Sequence, residues 1–166
     1  RWARPCAGGG GGAGWARREA VCVCVGGVVG AAQGAPVRTE AVDIVDARGA
    51  GKLDWLMALL GQLNARHRGR RPSSPLPPDR AALARPGHSL LVTDLGPLDC
   101  LGTIEEGLGF DELLPHTVEL SVADHGVRVL GLDTIVSLKR KSTHPKDRLV
   151  LPILGSEVAR LVLARS

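Results

Sequence analysis

Two aspartates in this sequence are candidates for holding a metal ion together. Asp43 stands in the apolar run Ala41-Val42-Asp43-Ile44-Val45, and Asp99 follows the turn Gly96-Pro97. Chemistry on a phosphate chain needs acids that are clustered in space, because carboxylates hold the magnesium that bridges the phosphates and activates an attacking hydroxyl. Asp43 and Asp99 suit that role as magnesium ligands and catalytic residues. The alternatives are a strand-end acid for Asp43 and a hairpin residue for Asp99.

Glycines and lysines elsewhere in the chain could bind the phosphates themselves. Gly26-Gly27 follow the first apolar run, and glycines at a strand-to-helix turn let backbone N–H groups approach a triphosphate. Lys139 and Lys146 could contact triphosphate oxygens as point charges, or they could be solvated helix charges. A dinucleotide-binding Gly-x-Gly-x-x-Gly motif is disfavoured, because the glycines do not have that spacing and Pro36 leaves room for only a short helix.

Mixed strands and helices must position these residues. Short apolar runs predict strands at 20–25, 41–45, 89–93, 98–101, 118–123 and 127–130. Helices are predicted at 28–33, 52–66, 110–114 and 133–141, and a helical region that opens at Pro145 is expected to be interrupted by Pro152 and Gly155 before 157–164. The stretch 66–79 is interpreted as a loop. The predicted fold class is α/β (α+β), a mixed β-sheet with flanking helices.

Composition narrows the class of protein. The 166 residues are 44% hydrophobic and 23% charged, which is typical of a globular domain, and aromatic residues at 2% require an aliphatic core. No apolar run approaches the roughly 18 to 20 residues of a transmembrane helix, so no membrane association is predicted. Four cysteines are too few for a disulfide scaffold. Cys22 and Cys24 are interpreted as buried small hydrophobes rather than metal ligands, which favours a cytoplasmic location.

The first 19 residues differ from the rest of the chain. Gly8 to Gly12 is an unbroken glycine run, and such a stretch cannot offset its ordering entropy by burial. We expect a disordered or artefactual Gly/Arg-rich extension at 1–19 and one domain at 20–166. Four arginines lie in this extension, so the net charge of +4 is no argument for nucleic-acid binding.

Taken in order, these motifs resemble the minimal nucleotidyltransferase-like proteins, which include the nucleotidyltransferase toxins of bacterial toxin–antitoxin pairs. That family opens with two glycines, a Gly-x-Pro turn, a Thr and an Asp-x-Asp strand. The similar residues here are Gly26-Gly27, Gly34-Ala35-Pro36, Thr39 and Asp43. The stretch from Thr93 to Asp99 resembles the strand of the third carboxylate. The segments 127–139 and 145–147 resemble the closing hairpin and helix and the Lys-Asp pair, so the resemblance spans residues 21–154.

The resemblance implies a reaction and a set of site residues. The reaction is magnesium-dependent transfer of a nucleoside monophosphate from a nucleoside triphosphate (NTP) to a hydroxyl of a protein or an RNA. Asp43 and Asp99 would hold Mg²⁺ and carry catalysis. The triphosphate would contact Gly26, Gly27, Lys139 and Lys146.

One departure from the family pattern is important. Ala41 stands where the family has the first aspartate of Asp-x-Asp, and the neighbouring Glu40 should point to the opposite face of the strand. Loss of a metal-bridging acid commonly costs orders of magnitude in rate. The alternative is therefore an inactive module that binds a nucleotide or an antitoxin-like partner protein. A degraded gene product is a third, weaker interpretation.

Overall fold

The structure is a computed structural model that describes residues 21–69, 76–122 and 125–163. Seven strands are present in these residues: β1 Cys22–Val25, β2 Val42–Asp46, β3 Arg66–His67, β4 His88–Thr93, β5 Gly96–Leu101, β6 Thr117–Val122 and β7 His125–Leu130. The α-helices are α1 Gly26–Ala32, α2 Ala50–Gln62, α3 Arg80–Leu83, α4 Phe110–Leu113, α5 Leu132–Lys141 and α6 Pro145–Leu163. Short 3₁₀ turns occupy Glu105–Gly107 and Leu114–His116.

All seven strands form one mixed sheet, which confirms the predicted fold class. The strand order is β3-β4-β5-β2-β1-β7-β6. The pairs β2/β5 and β1/β7 are parallel, while β1/β2, β3/β4, β4/β5 and β6/β7 are antiparallel. Because β2 and β1 lie in the middle, both faces of these strands can be covered. β1 is buried along its whole length, as its run of valine and cysteine predicts.

The core is aliphatic, as the shortage of aromatic residues requires. Its fully buried large side chains come mainly from the strands, and Val29 of α1, Leu60 of α2 and Leu113 of α4 add to them. Leu53, Leu56 and Leu60 form the buried face of α2, and Leu63, directly after the helix, is buried as well. Cys22 and Cys24 are also buried, in agreement with their interpretation as packing residues.

The C-terminal helix packs mainly on α5 and also contacts the first helix. Close contact is possible because Gly30 has no side chain, and a Cβ there would lie 3.2 Å from both Leu154 and Val37. Leu154 and Glu157 of α6 are buried as a result. This packing joins the last helix to the turn that carries Gly26 and Gly27.

Several sequence predictions need correction. The expected break in the last helix is wrong, because α6 continues through Pro152 and Gly155 while its buried side chains hold it against α1. The stretch 66–79 contains β3, which was interpreted as loop. Helix α3 was not predicted, although Asp79 caps it by accepting hydrogen bonds from the backbone of Ala81 and Ala82, both 3.1 Å long.

Some predictions fall outside the described residues. The Gly/Arg-rich extension at 1–19 and the last residue of the strand predicted at 118–123 belong to this group. The domain boundary at residue 20 therefore stays a prediction. Within residues 21–69, 76–122 and 125–163, none of the helices combines the length and the apolar character that crossing a bilayer requires.

Candidate active site

The two predicted acids lie side by side at the centre of the sheet. β2 and β5 are parallel neighbours, and their register makes Asp43 and Asp99 direct Cα partners. Side chains of directly opposed residues emerge on the same face of a sheet. The structure thus brings together two carboxylates that are far apart in the sequence, as phosphate chemistry on a metal ion requires.

Asp43 is in an unfavourable environment for a negative charge. Burial raises the pKa of its carboxyl from 3.8 to about 6, and repulsion by Asp99 adds to this effect. The positive charges of Arg68 and Lys139 oppose the rise in pKa but do not cancel it. A cation bound beside Asp43 would stabilise the ionised form of its carboxyl, because the cation would offset both the loss of hydration and the repulsion by Asp99.

Gly26 permits the close approach of the first helix to Asp43. Its φ of +73° lies in the left-handed region, and a Cβ on it would overlap Oδ2 of Asp43. β1 and β2 are antiparallel, with Val25 opposite Asp43, so Gly26 follows directly beyond the acid. Gly26 therefore satisfies a backbone requirement and a spatial requirement at once.

Gly26→Ala is expected to lower the free energy of unfolding by about 2 to 4 kcal/mol. The left-handed conformation costs an L-residue about 1 to 2 kcal/mol, and displacement of Asp43 adds strain. Urea unfolding measures the change. Gly51→Ala is the matched control, because nothing lies within 4 Å of a Cβ there and alanine favours the α2 helix. Equal stability of Gly26→Ala and the parent would contradict this role of Gly26.

Gly27 is held against the segment that leads into β2. A Cβ on Gly27 would lie 3.0 Å from the Cβ of Thr39, and the Thr39 hydroxyl donates to the carbonyl of Ala41 over 2.9 Å. This contact fixes the turn that precedes Asp43. Ala41 lies just before β2, so the chain offers no carboxylate there.

A cleft of about 330 Å³ opens beside the two aspartates. Its polar lining consists of Asp43, His88, Asp99, Glu105 and Lys139, and Gly26 lies at its edge. Leu, Ile and Val side chains from the sheet and from α5 supply the rest of the lining. The cleft is large enough for part of a nucleotide, and it places a cation and two acids on one ligand.

The two predicted lysines have different positions. Lys139 of α5 lines the cleft, and its Nζ forms an ion pair with Oδ1 of Asp147. Ser142 donates to the other Asp147 oxygen over 2.6 Å, and these bonds hold the pKa of Asp147 below its usual value against the effect of burial. Lys146 is exposed near the start of α6 and does not line the cleft. The structure thus brings Lys139 to the acids but not Lys146.

Arg68 was not among the predicted site residues, because its basic run was interpreted as solvated linker charge rather than as a phosphate-facing patch. Its Nη2 lies 2.9 Å from both carboxylate oxygens of Asp99. The backbone N–H of Arg68 donates to the carbonyl of Leu90 over 2.8 Å, and Leu90 is the β4 partner of Asp99. The side chain of Arg68 therefore reaches across β4 to Asp99 on β5. It lies in a basic run, Arg66 to Arg71, that has no periodic signal.

The acids fit one magnesium ion bound together with its substrate. In the part of the chain that the structure describes, no group of three or more His, Cys, Asp or Glu side chains could hold a metal ion. Asp43 and Asp99 would leave most coordination positions to water and phosphate oxygens. Magnesium is commonly bound in this way, through one or two carboxylates plus substrate phosphates.

Comparisons with known proteins give matches among solved structures. No protein-family model matches the sequence, and no curated protein matches it. The lincosamide antibiotic adenylyltransferase LnuA, solved with lincomycin bound, superimposes with a TM-score of 0.52 at 12% identity, over 82% of this chain and 86% of that chain. A Thermotoga maritima protein assigned as a nucleotidyltransferase gives a TM-score of 0.49 at 15% identity, over 88% and 83% of the two chains. The antibiotic-resistance factor ANT(2'')-Ia gives 0.47 at 14% identity, over 89% and 82%.

The match to LnuA identifies the class of fold. The chain has the nucleotidyltransferase fold, which agrees with the resemblance of its motifs to that family. At 12% identity the match to LnuA concerns the fold alone. The roles of the individual site residues therefore rest on the geometry of this chain.

Proposed function

We propose that this chain transfers a nucleoside monophosphate from an NTP to a hydroxyl group in a magnesium-dependent reaction that the alanine at position 41 slows. The observation that carries the proposal is the direct pairing of Asp43 with Asp99 in the cleft. Asp43 and Asp99 would hold the magnesium ion. When bound, that ion would supply positive charge that stabilises the phosphates and favours deprotonation of the attacking hydroxyl.

The residues of the chain contribute binding, orientation and exclusion of water. Gly26 and Gly27 begin α1 beside Asp43 and would present their backbone to the phosphates, and Lys139 supplies a positive charge from α5. Asp147 and Ser142 hold Lys139 in place. The apolar part of the cleft would limit the access of water to a bound nucleotide, which would favour transfer to an acceptor over hydrolysis. The hydroxyl acceptor on a protein or an RNA stays a prediction, as do an antitoxin-like partner and a cytoplasmic location.

A second candidate function is nucleotide binding without transfer. Two observations favour it: Ala41 supplies no carboxylate, and Arg68 already contacts both oxygens of Asp99. In that case the same cleft would bind a nucleotide without transferring any part of it, and the nucleotide-bound form of the chain would be the functional one.

Labelled NTPs distinguish the two candidates. The protein is incubated with NTPs labelled at the α-phosphate, magnesium and a cell extract, and transfer to protease-sensitive or nuclease-sensitive material is followed. We expect transfer by the parent, loss of transfer with EDTA, and a rate lower by at least tenfold for Asp99→Asn, since a metal ligand is removed.

The matched control is Asp94→Asn in the turn between β4 and β5. Asp94 is exposed and accepts a hydrogen bond from Asn64 over 3.3 Å, outside the cleft. Its rate should stay within about twofold of the parent. NTP binding without transfer by the parent would favour the second candidate, and absence of NTP binding would contradict both.

A further inference from the structure

Arg68 lies beside the cleft, paired with Asp99 of its lining. Its guanidinium touches Asp99 through Nη2 alone, so Nε and Nη1 form no hydrogen bond within the described residues. The side chain is 38% exposed, whereas that of Asp99 is 12% exposed. A guanidinium has five N–H donors in a planar arrangement, and donors that remain after one ion pair can bind a second anion.

The remaining donors of Arg68 favour an anion as that ligand. Asp43, Asp99 and Glu105 line the cleft, and Lys139 already pairs with Asp147, so an anion bound there would rely on the guanidinium of Arg68. A phosphate chain would meet an arginine whose orientation Asp99 already fixes.

We propose that Arg68 binds the phosphate chain of the nucleotide while it stays paired with Asp99. The inference rests on the proposed nucleotide site, and it assigns to Arg68 a contact that the sequence motifs do not include. Arg68 then supplies in the cleft some of the positive charge that metal ions would otherwise supply. Phosphate binding in the absence of metal is the direct consequence.

Calorimetric titration with inorganic triphosphate in EDTA tests this assignment. We expect the wild-type chain to bind triphosphate without metal, and Arg68→Gln to weaken that binding by about tenfold, because charge-assisted hydrogen bonds to phosphate are lost. Adenosine, titrated in parallel, should show no difference between the two proteins. The same substitution should tighten binding of Mn²⁺ alone, followed by electron paramagnetic resonance, by about tenfold, since it frees Asp99 and removes a positive charge.

Arg66→Gln provides the matched control. Arg66 lies two residues earlier in β3, and its guanidinium donates to Asn64 over 2.8 Å outside the cleft. We expect both affinities to stay within about twofold of the wild type. If Arg68→Gln does not fold in a thermal melt, Arg68→Lys replaces it. That variant keeps the charge and loses the planar donor arrangement, with an expected loss of about threefold for triphosphate.

The outcomes separate this inference from the proposed function. Unchanged triphosphate affinity in a folded Arg68 variant overturns the inference, as does a wild-type chain that binds no triphosphate without metal. Neither result depends on whether nucleotide is transferred. Arg68-dependent triphosphate binding in a chain without transfer activity would support the inference and contradict only the proposed reaction.

Discussion

Replacement of Ala41 by aspartate is expected to raise the magnesium-dependent transfer rate by about 100-fold, the order of magnitude associated with one preorganised charged group in an active site. Residue 41 lies just before β2, two positions from Asp43. Alternate residues of an extended chain share a face, so the new carboxylate would join Asp43 and Asp99. Three acids can hold metal ions that two acids hold weakly.

Stability gives a second measurement on Ala41→Asp. Without metal, three neighbouring carboxylates repel one another, so the melting temperature should fall below that of the parent. Magnesium should raise it again by more than it raises that of the parent, because only binding to the folded state stabilises. Ala41→Asn has a similar volume without the charge and should show neither effect. A rate increase below about threefold for Ala41→Asp would mean that the missing acid does not limit the reaction.

Asp43→Asn is expected to lower the transfer rate by at least about 1,000-fold and yet to stabilise the fold. The loss of rate follows from removal of a metal ligand. The gain in stability follows from the raised pKa of Asp43, whose causes are burial first and repulsion by Asp99 second. Active-site groups commonly reduce stability in this manner, since function requires a charge where the fold disfavours it.

The pH dependence of that stabilisation has a definite sign. The pKa of Asp43 is about 6 in the folded chain, against an ordinary value of 3.8. Between these two values the folded chain keeps a proton that the unfolded chain has released, so stability falls as the pH rises. A shift of two pKa units corresponds to about 3 kcal/mol, and partial exposure of the side chain reduces our expectation to about 1 to 2 kcal/mol.

Urea unfolding at several pH values in EDTA measures this difference. Asp43→Asn should exceed the parent in stability at pH 7.5, and the difference should be smallest below about pH 3, where the aspartate is protonated in both the folded and the unfolded chain. Asp94→Asn, an exposed carboxyl outside the cleft, should follow the parent at every pH. A destabilised Asp43→Asn at pH 7.5 would show that the charge of Asp43 contributes net stability to the fold.

The sequence predicted the central strands because their signals are local. Apolar β-branched runs with turn residues at both ends indicated β1, β2, β4 and β5, and the structure confirms them. The continuity of α6 could not be predicted in the same way. Pro152 breaks the local pattern of a helix, and the packing of Leu154 against α1 that overrides it joins residues far apart in the sequence.

The candidate site likewise combines residues that have a local sequence signal with residues that are placed by contacts between distant parts of the chain. Asp43 and Asp99 stand in recognisable strand and turn patterns, so the sequence could predict that the two acids act together on one metal ion. Arg68 owes its position to the pairing of the two-residue strand β3 with β4. Such a short strand has no periodicity, and a basic run usually indicates a solvated surface. Lys146 and Asp147 are adjacent on a helix, where neighbouring side chains point about 100° apart, and it is Asp147 that faces Lys139.

The parallel pairing of β1 with β7 has a consequence for synthesis of the chain on the ribosome. Cys24 pairs with Val129, so the strand that leads into Gly26 gains one of its two neighbours only after more than 100 further residues have been made. Such distant pairing slows folding because a long loop must close first. Lys139 and Asp147 follow later still. We therefore expect a nascent chain to lack a complete cleft until α5 and α6 have been made, which delays any nucleotide chemistry until that point of synthesis.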